Sequence, residues 1–175
     1  EDITITVTAG TAAQTLDLSN FYGSGRLRLI ADGNVTLTGG VRSYFNRIEN
    51  VLEGFSITSG PSYEKSTVYA YDTAVLYLVN CTLTASDGID NAIQADMHSN
   101  VAAGGCSITG YYRAVLAAAL SLVDLFDCTA SGNTIGVYLY RGGIVLLCGT
   151  TPDTLGGNAN SKNGGIIVKA DGTLL

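Results

Sequence analysis

Charge is scarce in this sequence. Only 14% of its 175 residues are Asp, Glu, Lys or Arg, against about a quarter in an ordinary globular domain. The little charge there is leans acidic, with nine basic and fifteen acidic residues and a net charge of −6. A surface of that sign repels a phosphate backbone, so nucleic acid is not an expected partner. Tryptophan is absent, proline occurs twice and histidine once. No apolar run reaches the roughly 18 residues that a membrane-spanning helix needs. The longest, AVLAAALSLVDLF at 114–126, is broken by Ser121 and Asp124, so membrane insertion is not expected. No signal-peptide pattern is visible and the sequence starts at Glu1, which reads as an excised domain or a processed product.

Glycine, with 22 residues, and apolar side chains, at 46%, are what the sequence has in quantity. That mixture suits short strands joined by tight turns, and the length suits one domain, 1–175, with a substantial core. Six segments then repeat: GNVTLTGG (33–40), EGFSITSG (53–60), VNCTLTAS (79–86), GGCSITGY (104–111), FDCTASGN (126–133) and CGTTPDT (148–154). Aligned on Val35, Phe55, Cys81, Cys106, Cys128 and Thr150, they are 20, 26, 25, 22 and 22 residues apart. The residue before each is Asn34, Gly54, Asn80, Gly105, Asp127 or Gly149. These types tolerate a left-handed backbone, which predicts one corner repeated once per period.

After the corner the apolar residues alternate, as in Val35/Leu37, Phe55/Ile57, Cys81/Leu83 and Cys106/Ile108, the mark of short strands with one buried face. Upstream, Val68, Ile93, Val115 and Val137 repeat at one offset, and Leu76, Val101, Val123 and Val145 at another. Each period therefore offers about three strands and three corners. The leucine-rich repeat has a similar period, but its LxxLxL pattern is absent, and a propeller needs longer, four-stranded units. The expected fold is all-β: a single-stranded right-handed parallel β-helix of about six to seven coils of 20–26 residues. At the strand spacing of about 4.8 Å this makes a rod roughly 30 Å long. Residues 1–30 read as an opening strand and cap region, 31–150 as regular coils, and 151–175 as a polar loop and terminal strands.

In this register Cys81, Cys106 and Cys128 share one inward column with Val35, Phe55 and Thr150. Free cysteine packs as a small hydrophobe, so the column reads as core. A metal site wants ligands in closely spaced pairs, and one thiol per coil does not supply them; no metal and no cofactor are expected. A bridge between neighbouring coils would leave one of the three unpaired. Cys148 falls on the outward parity. Asn34-Val-Thr and Asn80-Cys-Thr match the glycosylation sequon, but each is equally a corner followed by a strand.

The outward positions carry the functional signal. On one strand series they are Tyr69 and Tyr71, Gln94 and Asp96, Leu116 and Ala118, Tyr138 and Tyr140; on another they include Tyr77, Val79, Phe126, Leu146 and Cys148. Large outward apolar and aromatic side chains imply a covered surface: rods packed as a homotrimer, tyrosines stacked on sugars, or loops of the same chain. Longer insertions at 59–66, 85–91 and 109–113 follow one strand in consecutive coils, and so stack on one edge. They gather Tyr63, Glu64, Lys65, Asp87, Asp90, Tyr111, Tyr112 and Arg113. Loops on a rigid scaffold are where binding resides. The expected ligand-binding residues are thus Tyr63, Tyr69, Tyr71, Tyr111, Tyr112, Tyr138 and Tyr140. Hydrolysis needs two carboxylates at a set separation, and elimination needs carboxylates with a base. Glu64, Asp87, Asp90 and Arg113 are the candidates for that alternative.

The segment LDLSNFYGSGRLRLIADGNVTLTGG (16–40), the series LVNCTLT, AGGCSIT and LFDCTAS, and the ending GGIVLLCGTTPDTLGGNANSKNGGIIVKADGTL (142–174) together resemble the tail or baseplate β-helix domains of phages and prophages of Gram-positive bacteria, in the pectin-lyase-like superfamily. The resemblance implies a virion structural or receptor-binding protein, often trimeric, that contacts a bacterial surface polysaccharide or another tail component. It implies a location on the virion tail after synthesis in the host cytoplasm, or a bacterial extracellular one if the chain is not viral. Some relatives degrade polysaccharides as lyases or hydrolases. The sequence lacks the Asp-Asp, His-Gly and Arg-x-Pro-x-x-Arg signatures of those branches, which favours a non-enzymatic role.

Overall fold

The computed structural model describes residues 1–58, 65–86, 90–150, 155, 160–161 and 164–175. Among these there is no helix. The chain opens with β1 (Ile3–Ala12), and then winds: β2 (Leu16–Asp17) and β3 (Arg26–Leu37); β4 (Val41–Tyr44), β5 (Glu49–Glu53) and β6 (Ser56–Ile57); β7 (Ser66–Tyr71), β8 (Val75–Val79) and β9 (Thr82–Thr84). The winding continues through β10 (Asn91–Asp96), β11 (Asn100–Gly104) and β12 (Ser107–Thr109); β13 (Arg113–Ala118), β14 (Leu122–Phe126) and β15 (Thr129–Ser131); β16 (Ile135–Tyr140) and β17 (Ile144–Cys148); and β18 (Asn160–Ser161) and β19 (Ile166–Lys169). Every named strand pair is parallel, and each strand meets its counterpart one turn away. The result is a β-solenoid of about six turns.

Two sheets run along it. Sheet A joins the β3-β5-β8-β11-β14-β17-β19 series to the short strands β6, β9, β12 and β15, because β3 runs unbroken through both. Sheet B is the β2-β4-β7-β10-β13-β16-β18 series. The inward columns are those the alternation marks: Leu76, Val101, Val123 and Val145 stand in register and are buried, as are Val68, Ile93, Val115 and Val137. The cysteines are core. Cys81, Cys106 and Cys128 are buried free thiols, and Cys148 is half-exposed. Thr150 completes the column, accepting the Cys128 N–H on its hydroxyl at 2.9 Å. Hydrogen bonds shared with the Cys128 and Cys81 thiols, together with burial, hold the middle cysteine, Cys106, as a neutral thiol, far above the usual range.

The corner before this column is left-handed at Gly54 (φ 77°), Asn80 (51°), Gly105 (62°), Asp127 (49°) and Gly149 (69°). The first corner differs from expectation: Gly33 (φ 85°), not Asn34, takes the left-handed turn. There, Thr8 pairs with Asp32 and Gly10 with Val35, so two residues of β3 oppose Ala9 alone. That is a bulge with glycine at its strained position. A second corner, between sheets B and A, was not visible in the sequence. It places two consecutive left-handed residues at Asp72-Thr73, Met97-His98, Ala119-Leu120 and Arg141-Gly142. Most of these side chains bear a Cβ, which costs roughly 1–2 kcal/mol per residue. The stacking offsets this, since corner N–H groups bond the next turn, as Thr73 does to Met97 O (3.0 Å) and His98 to Ala119 O (3.1 Å).

Regular pairing already includes the first thirty residues. Ile3 and Ile5 stand in register with Leu27 and Leu29, although as the edge strand they are exposed. At the other end, an antiparallel bridge from Val168 to Leu174 folds the last residues back across β19, with Asp171 accepting the Thr173 N–H at 2.9 Å.

Candidate functional site: the outer face of sheet B

The middle strands of sheet B, β7, β10 and β13, begin irregularly. Thr67 and Val68 are both buried, and the same holds for Ala92 and Ile93 and for Ala114 and Val115. Two consecutive inward residues turn the strand's first position, Ser66, Asn91 or Arg113, back to the outer side. Beyond them alternation resumes: Tyr69, Gln94, Leu116 and Tyr138 stand in one outward column, and Tyr71 and Asp96 share a row beside it, as do Ala118 and Tyr140.

The face has aromatic groups at both ends. At one, Tyr44, Tyr69 and Tyr71 form a triangle with every centroid separation 5.8 Å; two of the three contacts are edge-to-face. Arg42 lies 4.9 Å from the Tyr44 centroid and pairs with Asp17 at 2.8 Å. Burial pushes the Asp17 carboxyl up, but bonds from Ser19 and Arg42 outweigh it and hold the group below its ordinary range. At the other end, the Arg113 guanidinium lies between Tyr112 and Tyr138, 4.8 Å from each ring centroid, and Arg141 lies 4.8 Å from that of Tyr140. Three strand spacings, about 14 Å, separate β7 from β16. The floor between them is low: Leu116, Ala118, Gln94 and Asp96.

The polar groups of this floor are braced. Gln94 Oε1 accepts from Ser66 Oγ at 2.6 Å and from Asn91 Nδ2 at 3.1 Å. With its oxygen used twice toward the sheet, the Gln94 amide turns its two N–H donors away from these neighbours. Asp96 accepts the Met97 N–H at 2.8 Å through one oxygen, leaving the other free to accept.

Of the expected ligand-binding tyrosines, Tyr71, Tyr138 and Tyr140 lie on this face and Tyr112 borders it, whereas Tyr69 shares the outward column but is buried, 9% exposed and packed against Tyr44 and Tyr71. Tyr63 lies outside the described residues, as do Glu64 and Asp87. Tyr111 does not belong to the surface. It is 1% exposed and donates its hydroxyl to Thr67 Oγ1 at 2.9 Å inside the core. Its N–H is held by the buried Asn133 at 2.8 Å, which fixes the inward turn. Desolvation raises its hydroxyl well above the ordinary tyrosine range. Asp90 and Arg113 are engaged separately, Asp90 with Lys65 at 3.9 Å and Arg113 with Asn91 at 3.2 Å. Tyr44 is the residue the sequence reading missed. Its signal is the repeated Val-x-x-Tyr of VRSY (41–44), VYAY (68–71) and VYLY (137–140).

The outer face of sheet A differs in character. Val75, Tyr77, Leu122 and Phe126 surround Ala102 in a groove of about 250 Å³. Asp124 lies in it with one carboxylate oxygen buried and without a hydrogen-bond partner, and desolvation raises its carboxyl above the ordinary range. Among the described residues no three His, Cys, Asp or Glu side chains converge as a metal site would require.

Fold and site together define a β-solenoid with an aromatic outer face on sheet B and an apolar groove on the outer face of sheet A, beside the Arg26–Glu49 and Arg28–Glu53 ion pairs of β3 and β5. No protein-family model, curated protein or solved structure matches the chain.

Proposed function

We propose that this β-solenoid is a non-enzymatic receptor-binding domain of the phage-tail type that holds a bacterial surface polysaccharide across the outer face of sheet B. The observation that carries the reading is the pair of tyrosine groups flanking a low floor on which Gln94 and Asp96 offer polar groups beside Leu116 and Ala118. Tyrosine offers a flat apolar face and a hydroxyl at little entropic cost, and a rigid scaffold keeps its outward groups in place. Gln94 supplies donors and Asp96 an acceptor, the complement of sugar hydroxyls. In this reading the apolar groove on the outer face of sheet A packs against other copies in a homotrimer, where Tyr77, Leu122 and Phe126 would leave water. Free buried thiols suit folding in a reducing host cytoplasm before assembly onto a particle.

Two measurements test this. Light scattering at micromolar concentration should give a trimer, and a strict monomer contradicts that part. Screening against bacterial surface polysaccharides should give binding without product. Release of reducing ends or unsaturated sugars would instead establish the degradative alternative for which Glu64, Asp87, Asp90 and Arg113 were the sequence candidates.

A further inference from the structure

Arg113 is held more firmly than a surface arginine needs to be. Its guanidinium carbon is 4.8 Å from both the Tyr112 and the Tyr138 centroid, and a terminal nitrogen donates to Asn91 Oδ1 at 3.2 Å. Asn91 is itself 4% exposed and fixed, donating to Ser66 Oγ at 3.0 Å and to Gln94 Oε1 at 3.1 Å. Four strands thus contribute to the placement of one cation.

What this cation lacks is a carboxylate. Arg26, Arg28, Arg42 and Lys65 each pair with an acidic side chain, while Arg47, Arg113, Arg141 and Lys169 do not among the described residues. The sequence, at net −6, has acidic residues to spare. Of the latter four cations, Arg113 and Arg141 lie against tyrosines of the sheet B face. The Arg113 Nε is shut in without an acceptor, so the terminal nitrogens are what the group presents. A guanidinium braced in this way offers parallel N–H donors that match a planar carboxylate, and ordering it on binding costs little.

We infer that the polysaccharide held on this face is acidic and carries its carboxylates on the sugar rings themselves, a uronic-acid polymer, with Arg113 pairing the carboxylate while the same sugar packs on Tyr112. This rests on the glycan-binding reading above. The ring-borne charge follows from distance. Tyr112 is 47% exposed, and Arg113 stands 4.8 Å from its centroid, so stacking surface and cation fall within the span of one monosaccharide. A phosphodiester places its charge between sugar units instead.

Binding of the full chain to polygalacturonate, its fully methyl-esterified form, alginate, poly(glycerol phosphate) and dextran tests this by equilibrium titration. Polygalacturonate or alginate should bind, more weakly as salt is added, and esterification should weaken polygalacturonate about tenfold or more, the scale of a charge-assisted hydrogen bond. Arg113→Gln should cause a similar loss on the acid polymers alone, and Arg113→Lys, which keeps charge without the fork, a smaller one; circular dichroism confirms that both fold. Tyr112→Ala should weaken charged and esterified polymers alike. Equal affinity for acid and ester, an inert Arg113→Gln, or preference for the phosphate polymer overturns the inference while leaving a glycan-binding face. Binding to none of the five overturns the inference, and with failure of the wider surface-polysaccharide screen the glycan reading falls as well.

Discussion

Gly105 shows how one residue is constrained by its neighbour a turn away. Its φ is 62°, and a Cβ placed there would come 2.4 Å from Asn80 Oδ1. Gly149 stands in the same relation to Asp127, whose Oδ1 would be 1.8 Å from an added Cβ. Side-chain and glycine corners therefore alternate from Asn80 to Gly149, each polar side chain leaning over the glycine that follows. Gly105→Ala should destabilise by at least the roughly 1–2 kcal/mol of a left-handed alanine, measured by urea unfolding. Gly104→Ala, one residue earlier and with nothing within 4 Å of its Cβ, is the control and should be far milder. Equal effects would mean that the corner yields to accommodate a side chain.

Asn50 is a polar residue inside an apolar column. It stands in register between Leu27 and Leu76, is buried, and neither its amide nitrogen nor its carbonyl oxygen has a hydrogen-bond partner. An unsatisfied buried polar group costs about 1–3 kcal/mol, so Asn50→Leu should raise the melting temperature. A fall would show that the amide has a role the leucine column cannot fill.

At the scale of the strand, sheet A carries a pH signature. Desolvation raises the Asp124 carboxyl above its ordinary range, so the folded state holds this proton at a pH where the unfolded chain has released it. Stability from this group is greatest below its unfolded range and declines as pH rises through its folded range. Asp124→Asn should therefore be more stable than the parent near neutral pH, with the advantage fading in acid. Thermal melts across pH 3–8 check this, and a variant that gains most in acid would contradict the desolvation account.

The strands also show what was legible in the sequence. Period-2 alternation exposed the inward columns, and the corner residues exposed the repeat, because only a few residue types tolerate a left-handed backbone. Four features were hidden for physical reasons. The Met97-His98 and Ala119-Leu120 corners use side chains with no turn preference, held by bonds from the next coil. The doubled inward positions, such as Thr67-Val68, break the alternation that parity counting relies on. Tyr111 follows a glycine in an apparent surface loop, and its burial depends on Asn133, a turn of chain away. The bulge at Gly33 shifted the first corner by one residue because pairing with β1 sets it.

For the molecule as a whole, stacking makes stability a sum over neighbouring turns and leaves the outer faces free to diverge. Sheet A turned outward carries the Arg26–Glu49 and Arg28–Glu53 ion pairs on β3 and β5 and, farther along, an apolar groove around Asp124, one of whose oxygens lacks a partner. Sheet B turned outward is aromatic, with two cations that lack carboxylate partners among the described residues. In the proposed reading, that division separates assembly from recognition on one rod. With ten tyrosines and no tryptophan, the intrinsic fluorescence reports on tyrosine directly. The most direct test of recognition is a titration of the full chain with the bacterial surface polysaccharide that binds best, followed by tyrosine emission, for the parent, Tyr112→Ala and Tyr140→Ala. Saturable change in the parent, with affinity lost about tenfold or more in both variants at unchanged melting temperature, is the predicted result. Unchanged affinity in both variants would contradict a glycan-binding sheet B face.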